Sequence, residues 1–343
     1  MVRDLRIALL GFGNVGRRFA ELLLGPYGRA LRRGGVRARV TGIATRRHGV
    51  VIDPRGLALQ TCLRRVRAGL PLDRLRGGLV ASSAEFVRRV PADVLVEVTT
   101  LDPRQGQPAT AHVRAALRRG LHVVTANKGP VAFAHASLKA LARRRGRLFL
   151  HEGAVMDGTP VFNLVERCLM GTRILGFRGT LNSTSNHILS RLEEGATREA
   201  ALREAQALGI AEADPRNDLD GWDAAVKGCA LANALMGGSL RPSGVRRRGI
   251  LGLRPGEARR ALRGGKRLRL VVRGTRAGRR VRVSVGPERI PLGDPLSLPG
   301  SDAALVLTTD LMGEIGVFER GAFLDQTAYA LLSDLMTVAA SLS

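Results

Sequence analysis

LRIALLGFGNVG, Leu5 to Gly16, is the stretch whose reading decides how the first half of the chain folds. Leu5 to Leu10 is a short apolar strand. Gly11, Phe12, Gly13, Asn14, Val15 and Gly16 follow it as G-x-G-x-x-G, and Phe19, Ala20, Leu22, Leu23 and Leu24 continue with helical character. Strand, glycine motif and helix in that order form a strong dinucleotide-binding signal, although the glycines standing alone would be weak. Backbone amides at a helix N-terminus meet the pyrophosphate there, and side chains would block its approach.

The chain outward from this motif reads as a doubly wound parallel sheet of the Rossmann type. A second strand runs near Val36 to Ala44. At its end an NAD enzyme places Asp or Glu on the ribose hydroxyls, whereas this chain has Thr45, Arg46, Arg47 and His48. Arginine there favours the extra phosphate of NADP, so NADP is the expected cofactor with Arg46 on it, and use of NAD stays open. Leu57 to Val90 is mixed helix and loop. Asp93 to Val98 is a buried strand ending in Thr99 and Thr100. After a helix at His112 to Arg119, the strand Leu121 to Thr125 ends in Ala126, Asn127, Lys128, Gly129 and Pro130. Polar residues at two successive strand ends mark the ligand edge of such a sheet. The bland alternative for Lys128 is a charge on a surface loop.

A strand at Arg147 to His151 leads into Glu152, Gly153, Ala154, Val155, Met156, Asp157, Gly158, Thr159 and Pro160. A turn of such small residues is a domain hinge, or a set of carbonyls that with Glu152 could hold a hard cation. Ile174 to Leu181 is a strand, followed by a polar loop, Asn182 to Asn186, opening a helix at His187 to Glu194. Those hydroxyls and amides suit a substrate carboxylate, and equally suit helix capping. Thr197 caps a helix that Gly209 stops. Beyond Gly237 and Gly238, Leu268 to Val272 and Val281 to Val285 read as antiparallel strands, and Ala304 to Asp310 as one more. Gly321, Ala322 and Phe323 introduce an amphipathic tail helix at Thr327 to Leu342.

The second half is organised around GIAEADPRNDLDGWDAAVKGCALA, Gly209 to Ala232. An acidic, Pro-broken loop with Glu212, Asp214 and Asp218 precedes a helix on which Asp223 and Lys227 share a face. Trp222, Ala224, Ala225, Val226, Cys229, Ala230 and Leu231 make that helix apolar nearly all round. A carboxylate and an ammonium on a buried helix are costly unless they serve each other or a ligand. Lysine is also rare: Lys128, Lys139, Lys227 and Lys266 are the only ones among 55 basic residues. Arginine cannot give up its proton, whereas a lysine can be tuned for proton transfer, so a lysine in an arginine-writing chain points to a place that needs an amine; Lys139 and Lys266 read as incidental.

Composition narrows the classes. The 343 residues, 45% hydrophobic, are enough for two domains. No apolar run approaches the roughly 18 residues that span a bilayer, and the N-terminus is unlike a signal peptide, so a cytoplasmic protein without membrane contact is expected. Cys62, Cys168 and Cys229 match no disulfide or zinc pattern and read as packing residues. The net charge of +26 invites nucleic acid, but the basic residues are scattered, with one denser zone from Arg246 to Arg282. Two Tyr and one Trp are few for base stacking, which disfavours that partner.

Taken together, GFGNVG at 11–16, VVTANKGP at 123–130, HEGAVMDGTP at 151–160, GTLNSTSNHIL at 179–189 and GIAEADPRNDLDGWDAAVK at 209–227 resemble the homoserine dehydrogenase family along nearly the whole chain. The resemblance implies oxidation of L-homoserine to L-aspartate 4-semialdehyde, run in reverse with NAD(P)H on the route to threonine, methionine and isoleucine. It implies an α/β fold: a Rossmann domain over 1–146, an α+β substrate and dimerisation domain over 147–319, and a C-terminal helix, 320–343, returning to the first. By the same resemblance Lys128 is the proton shuttle near the nicotinamide, while Asp223 and Lys227 orient and polarise the reacting oxygen. Glu212, Asp218 and Thr184 take the amino-acid substrate. Gly11, Phe12, Gly13, Asn14, Val15, Gly16, Arg46, Thr99, Thr100, Lys128 and Gly321 line the dinucleotide. Glu152 by its side chain, and Val155, Asp157 and Thr159 by their carbonyls, map onto a monovalent-cation turn, with sodium expected. A homodimer through the second domain's sheet is implied, in the short form of the family without a regulatory ACT-type domain.

Three departures stand out. The family commonly has Gly where Ser183 stands, Tyr where Ile210 stands, and a further glycine where Phe323 stands. A second reading, a non-catalytic NAD(P)-sensing protein that binds nucleic acid through the basic zone, has no use for Asp223 and Lys227 inside an apolar helix. A phosphorylating semialdehyde dehydrogenase would need a cysteine nucleophile, and none is placed for it.

Overall fold

The computed structural model describes residues 2–73, 75, 80, 82–278, 280–321 and 323–342. The chain divides into two compact units, one of Met1–Pro130, Ala134–Gly158 and Phe323–Ser343, the other of Val131–Phe133 and Thr159–Ala322. Each is built on a six-stranded sheet.

The first unit begins with β1 (Arg3–Leu10), α1 (Asn14–Leu24), α2 (Pro26–Arg33), β2 (Val36–Thr45), β3 (Gly49–Ile52), α3 (Leu59–Arg67) and α4 (Ser83–Arg89). It continues with β4 (Val94–Glu97), α5 (Ala109–Arg118), β5 (His122–Thr125), α6 (Lys128–Arg144) and β6 (Phe149–Leu150). The strand order is β3-β2-β1-β4-β5-β6, and β2, β1, β4, β5 and β6 run parallel. Strand β3 departs from the all-parallel expectation by pairing antiparallel with β2. Only Arg46 to His48 join the two, and a parallel return needs a crossover of a dozen residues or more. Buried on both faces, β4 and β5 read as continuous apolar runs, the mark of parallel strands under helices.

The order reverses direction between β1 and β4, the switch point at which doubly wound sheets bind ligands. The C-terminal helix, defined below as the last of the chain, belongs to this unit: Ala328, Leu331, Leu332, Leu335 and Val338 join Leu5, Ile7, Leu9 and Phe19 in one core.

The second unit carries β7 (Ile174–Thr180), α7 (Ser183–Glu194), α8 (Arg198–Ala207), α9 (Arg216–Leu219), α10 (Trp222–Leu235), β8 (Arg246–Arg247) and α11 (Glu257–Arg263). Then come β9 (Lys266–Ala277), β10 (Arg280–Pro291), β11 (Ala303–Thr309) and β12 (Glu314–Glu319), before α12 (Leu324–Ala340) closes the chain. Its sheet, ordered β12-β11-β7-β9-β10-β8, is antiparallel apart from the β8–β10 pair. Strands β9 and β10 are longer than their hydrophobic runs, because arginines alternate with Leu and Val along them and hid the ends. Strand β12, with exposed Gly316 and Phe318, carried no readable apolar alternation.

Helix α10 lies on β9 and β10, and Gly228 lets it approach: a Cβ there would meet Val272 and Val283 side chains at 2.7 and 2.8 Å. Arg269 is fully buried yet satisfied, donating to Glu193 Oε1 at 2.9 Å, Ser190 Oγ at 3.0 Å and Leu298 O at 2.7 Å. Among the described residues no helix is long and apolar enough to cross a membrane. The packing role expected of the cysteines holds for buried Cys62 and Cys229 but not for Cys168, which is exposed. It ends the short π-helix Leu164–Cys168, none of whose residues is buried.

Candidate active site

In the first unit, the glycine motif divides by what each glycine is for. Gly11 has φ +100°, and a Cβ on it would stand 2.5 Å from the Val98 carbonyl oxygen. A Cβ on Gly16 would stand 2.5 Å from the carbonyl oxygen of Gly11. Both are required by the fold itself. Gly13, by contrast, has nothing of the chain within 4 Å of its Cβ position, and it is the N-cap of α1. The fold itself does not need glycine there, and the open space leaves the backbone amides at the helix start accessible to an anion. Phe12 is buried and Val15 packs on the core, while Asn14 Oδ1 accepts from Arg17 Nη2 at 2.7 Å. Arg46 and Arg47 are exposed on the β2–β3 turn, which Thr45 Oγ1 tightens by accepting the His48 N–H at 2.7 Å.

The ends of β4 and β5 form one polar edge. Thr99 is half-buried and Thr100 exposed. Lys128 is not on a loop, contrary to its bland reading: it is the first residue of α6, and Asn127 caps that helix by accepting the Gly129 N–H at 2.9 Å. The sequence reading missed Glu97, fully buried beneath Thr99 and Thr125. A lone acid at the end of the apolar run VLVEV was the available signal. Glu152 is buried, with its N–H donating to Asp334 Oδ2 at 3.0 Å. Val155 is also buried, and Asp157 takes a left-handed backbone, φ 44°, with Oδ1 accepting from Thr327 Oγ1 at 2.9 Å. Thr159 opens the main segment of the second unit.

In the second unit the structure brings together four of the expected residues and adds one. Asn182 caps α7: its Oδ1 accepts the Ser185 N–H at 2.8 Å. With its oxygen so committed, its amide nitrogen donates to Asp218 Oδ1 at 2.8 Å and to Asp223 Oδ2 at 3.0 Å. Lys227 Nζ lies 3.6 Å from Asp223 Oδ2 and donates to the Leu181 carbonyl at 2.5 Å. Both side chains of that pair are about one-seventh exposed, 15% and 14%, so the ion pair is partly dry. Burial, then the Asp223 charge, push the Asp218 carboxyl up, against the Asn182 and Thr184 donors and Lys227.

Thr184 is buried, with Oγ1 also 3.0 Å from the Ile210 carbonyl oxygen, so that its one proton is shared between two acceptors. The polar residues Ser183 to Asn186 are the first turn of α7 rather than the loop before it. The capping alternative therefore describes Asn182 itself, whose place as a strand-end residue gave no hint of the two carboxylates it clamps. Arg247 stacks 3.9 Å over the Trp222 ring and donates to Asp220 O at 2.8 Å, fixing the start of α10.

Glu212 is exposed on the loop before α9. Gly321 has φ 65°, and its N–H donates to Asp302 Oδ1 at 3.0 Å; Ala322 lies outside the described residues. Of the three departures, Ser183 opens α7, Ile210 meets Thr184 through its backbone, and Phe323 is 68% exposed at the start of α12. Cys229, pushed up to about 12 by burial, is unsuited to act as a nucleophile.

The chain can now be set beside known proteins. A family profile described as "Homoserine dehydrogenase" matches residues 160–336, and one described as "Homoserine dehydrogenase, NAD binding domain" matches residues 11–152. An NAD(+)-dependent homoserine dehydrogenase of Pseudomonas canavaninivorans is 37% identical over 98% of this chain and 96% of its own length. A homoserine dehydrogenase of Methanocaldococcus jannaschii is 36% identical over 97% of this chain and 98% of its own. Among solved structures, a hyperthermophilic archaeal homoserine dehydrogenase in complex with NADPH superimposes with a TM-score of 0.83 at 27% identity, covering 98% of each chain. The charged cluster on α10, the glycine motif at the switch point of the sheet and these full-length matches agree: the chain belongs to the homoserine dehydrogenase family.

Proposed function

We propose how this chain carries out the reaction of its family. Membership makes it a homoserine dehydrogenase, an NAD(P)-dependent oxidoreductase interconverting L-homoserine and L-aspartate 4-semialdehyde. Our reading assigns residues to the steps. When bound, the nicotinamide supplies the hydride for the aldehyde carbon, or accepts it from the alcohol carbon. Lys128 gives the proton to the oxygen in reduction and removes it in oxidation; a shuttle must be able to lose its charge, which lysine can and arginine cannot. Lys227, paired with Asp223, stabilises negative charge growing on that oxygen. Asp218, with Glu212, receives the substrate ammonium, and Thr184 and the start of α7 take its carboxylate. The observation that carries this reading is the convergence of Asn182 and Asp218 on Asp223, which pairs with Lys227 on an otherwise apolar helix.

NADP is our preferred cofactor, supported by Arg46 and Arg47 on the β2–β3 turn, where no carboxylate follows Thr45. The relatives pull both ways, one being NAD(+)-dependent and one binding NADPH. Gly11 to Gly16, Thr99, Thr100 and Gly321 would line the dinucleotide. A sodium ion held by Glu152 and the carbonyls of Val155, Asp157 and Thr159 draws support from the burial of Glu152 and the left-handed turn at Asp157. The reading includes a Rossmann domain over 1–146 that the C-terminal helix rejoins, and a substrate domain over 147–319 that pairs with a second copy in a cytoplasmic homodimer. It also includes a place on the route to threonine, methionine and isoleucine.

The test is a side-by-side steady-state assay following absorbance of NADPH and of NADH on addition of L-aspartate 4-semialdehyde. Substrate-dependent oxidation with a higher kcat/KM for NADPH is expected. A preference for NADH removes the role given to Arg46, and no oxidation with either removes the assignment of activity.

A further inference from the structure

We propose that Glu97 is a positioning residue for the Lys128 amine, its side chain tying the ends of β4 and β5 to the helix start that carries the lysine. The inference rests on the reading of Lys128 given above. Strand β4 otherwise reads Val94, Leu95, Val96, and all four of its residues are buried. Glu97 is 0% exposed. A carboxyl group in that place is costly unless every polar atom is matched, so apolar packing alone would have selected a fourth aliphatic residue.

The matching is specific to the ligand edge. Oε1 accepts from the Thr99 N–H at 2.9 Å and from the Thr99 hydroxyl. Oε2 lies 3.0 Å from Thr125 Oγ1, which also stands 2.8 Å from the carbonyl oxygen of Glu97 and accepts the Asn127 N–H at 2.9 Å. The Asn127 amide nitrogen donates to Thr99 O at 3.0 Å, while its oxygen caps α6 through Gly129. A connected path therefore runs from the carboxyl through Thr125 and Asn127 to the first turn of α6, where Lys128 is the first residue.

Thr125 has one hydroxyl proton for two acceptors. A carboxyl that keeps its proton completes the set by donating to Thr125 Oγ1 while that hydroxyl serves the backbone. Burial pushes the Glu97 carboxyl up, in the same direction. A glutamine, with N–H in place of O–H, can make the same contacts. A catalytic amine must be held to within about 0.5 Å by groups that are themselves locked, and this network is what locks the backbone beneath Lys128.

The experiment compares Glu97→Ala, Glu97→Gln and Thr125→Val in full-length enzyme by steady-state kinetics and by amide hydrogen exchange over residues 126–132. Loss of positioning lowers kcat by about a hundredfold. In Glu97→Ala that loss is expected with little change in KM for L-aspartate 4-semialdehyde, together with faster exchange over 126–132. Glu97→Gln should recover most of both. If Glu97→Ala does not fold, Thr125→Val, nearly isosteric, carries the same expectation of lower kcat, steady KM and faster exchange. Wild-type kcat in the Ala or Val variant, unchanged exchange, or a Gln variant as impaired as Ala would each overturn the proposal. Should Lys128→Met retain activity, the shuttle assignment itself falls, and the exchange pattern still decides whether Glu97 orders this helix start.

Discussion

In the first unit the residues assigned to the chemistry stand at strand ends: Gly11 to Gly16 after β1, Thr99 after β4, Asn127 and Lys128 after β5. In the second it stands on helices laid over a sheet, with Asp223 and Lys227 on α10 and Asn182 at the start of α7. Parallel sheets concentrate helix N-termini and loose backbone at one edge, so their ligand site follows from topology. An antiparallel sheet under helices has no such edge, and there each charged residue must be held individually by partners such as Asn182. The difference teaches where to expect tolerance. At the strand ends the backbone does much of the work, and on α10 the side chains do nearly all of it.

Substitutions can break or sharpen that contrast. The largest expected effect is from Lys128→Met, which removes the proposed general acid–base group and should cut kcat by about a thousandfold; near-normal kcat would mean that the first unit contributes backbone alone. Asn182→Ala should come next: it leaves Asp218 and Asp223 without their shared donor, raising KM for the amino-acid substrate by about tenfold, since a lost hydrogen bond to a charged group is worth about 1.5–3 kcal/mol. An unchanged KM would show that the two carboxylates need no clamp.

The glycines separate fold from ligand. Gly11→Ala collides with Val98 and should lower the melting temperature. Gly13→Ala meets nothing of the chain, so it should leave melting unchanged while raising KM for NADPH. Equal melting temperatures for the two variants would refute the division.

Smaller still is the effect of acid. His122 is pushed down to about 4 by burial, with the Arg147 charge adding to it, and burial lowers His112 and His187 as well. These rings take up protons more readily when unfolded, so their contribution to stability should be full above about pH 6.5 and decline as pH falls toward 4, while the raised Glu97 and Asp218 carboxyls act in the opposite sense. Thermal melts of the wild type and of His122→Phe between pH 7 and 5 check this; a wild type that loses no more stability on acidification than the variant would contradict it. Equal rates in sodium and choline buffers would dismiss the cation at Glu152.

The legibility of the two units differs for the same reason. The Leu5–Gly16 stretch announced a parallel sheet because strand, glycine loop and helix occur in fixed order, and the strands at β2, β4, β5 and β7 follow from their apolar runs. What escaped was tertiary. The β2–β3 hairpin is a matter of loop length, β12 lacks apolar alternation, and the long ends of β9 and β10 are hidden by arginine. Asp223 and Lys227 were visible because charge on an apolar helix is conspicuous. Asn182 and Glu97 were not, since their roles depend on groups brought to them by the fold from distant positions. Family membership lends the nucleic-acid reading no support, and arginines of the basic zone such as Arg269 and Arg273 are committed to Glu193 and Glu288.

The proposed mechanism depends most on an amine, and not merely a positive charge, on α10. The most direct test is the rate of NADPH oxidation with L-aspartate 4-semialdehyde by Lys227→Arg. A fall in kcat of at least about a hundredfold is predicted, because guanidinium geometry cannot reproduce the ammonium that Asp223 and the Leu181 carbonyl hold in place. A variant that turns over like the wild type would contradict it.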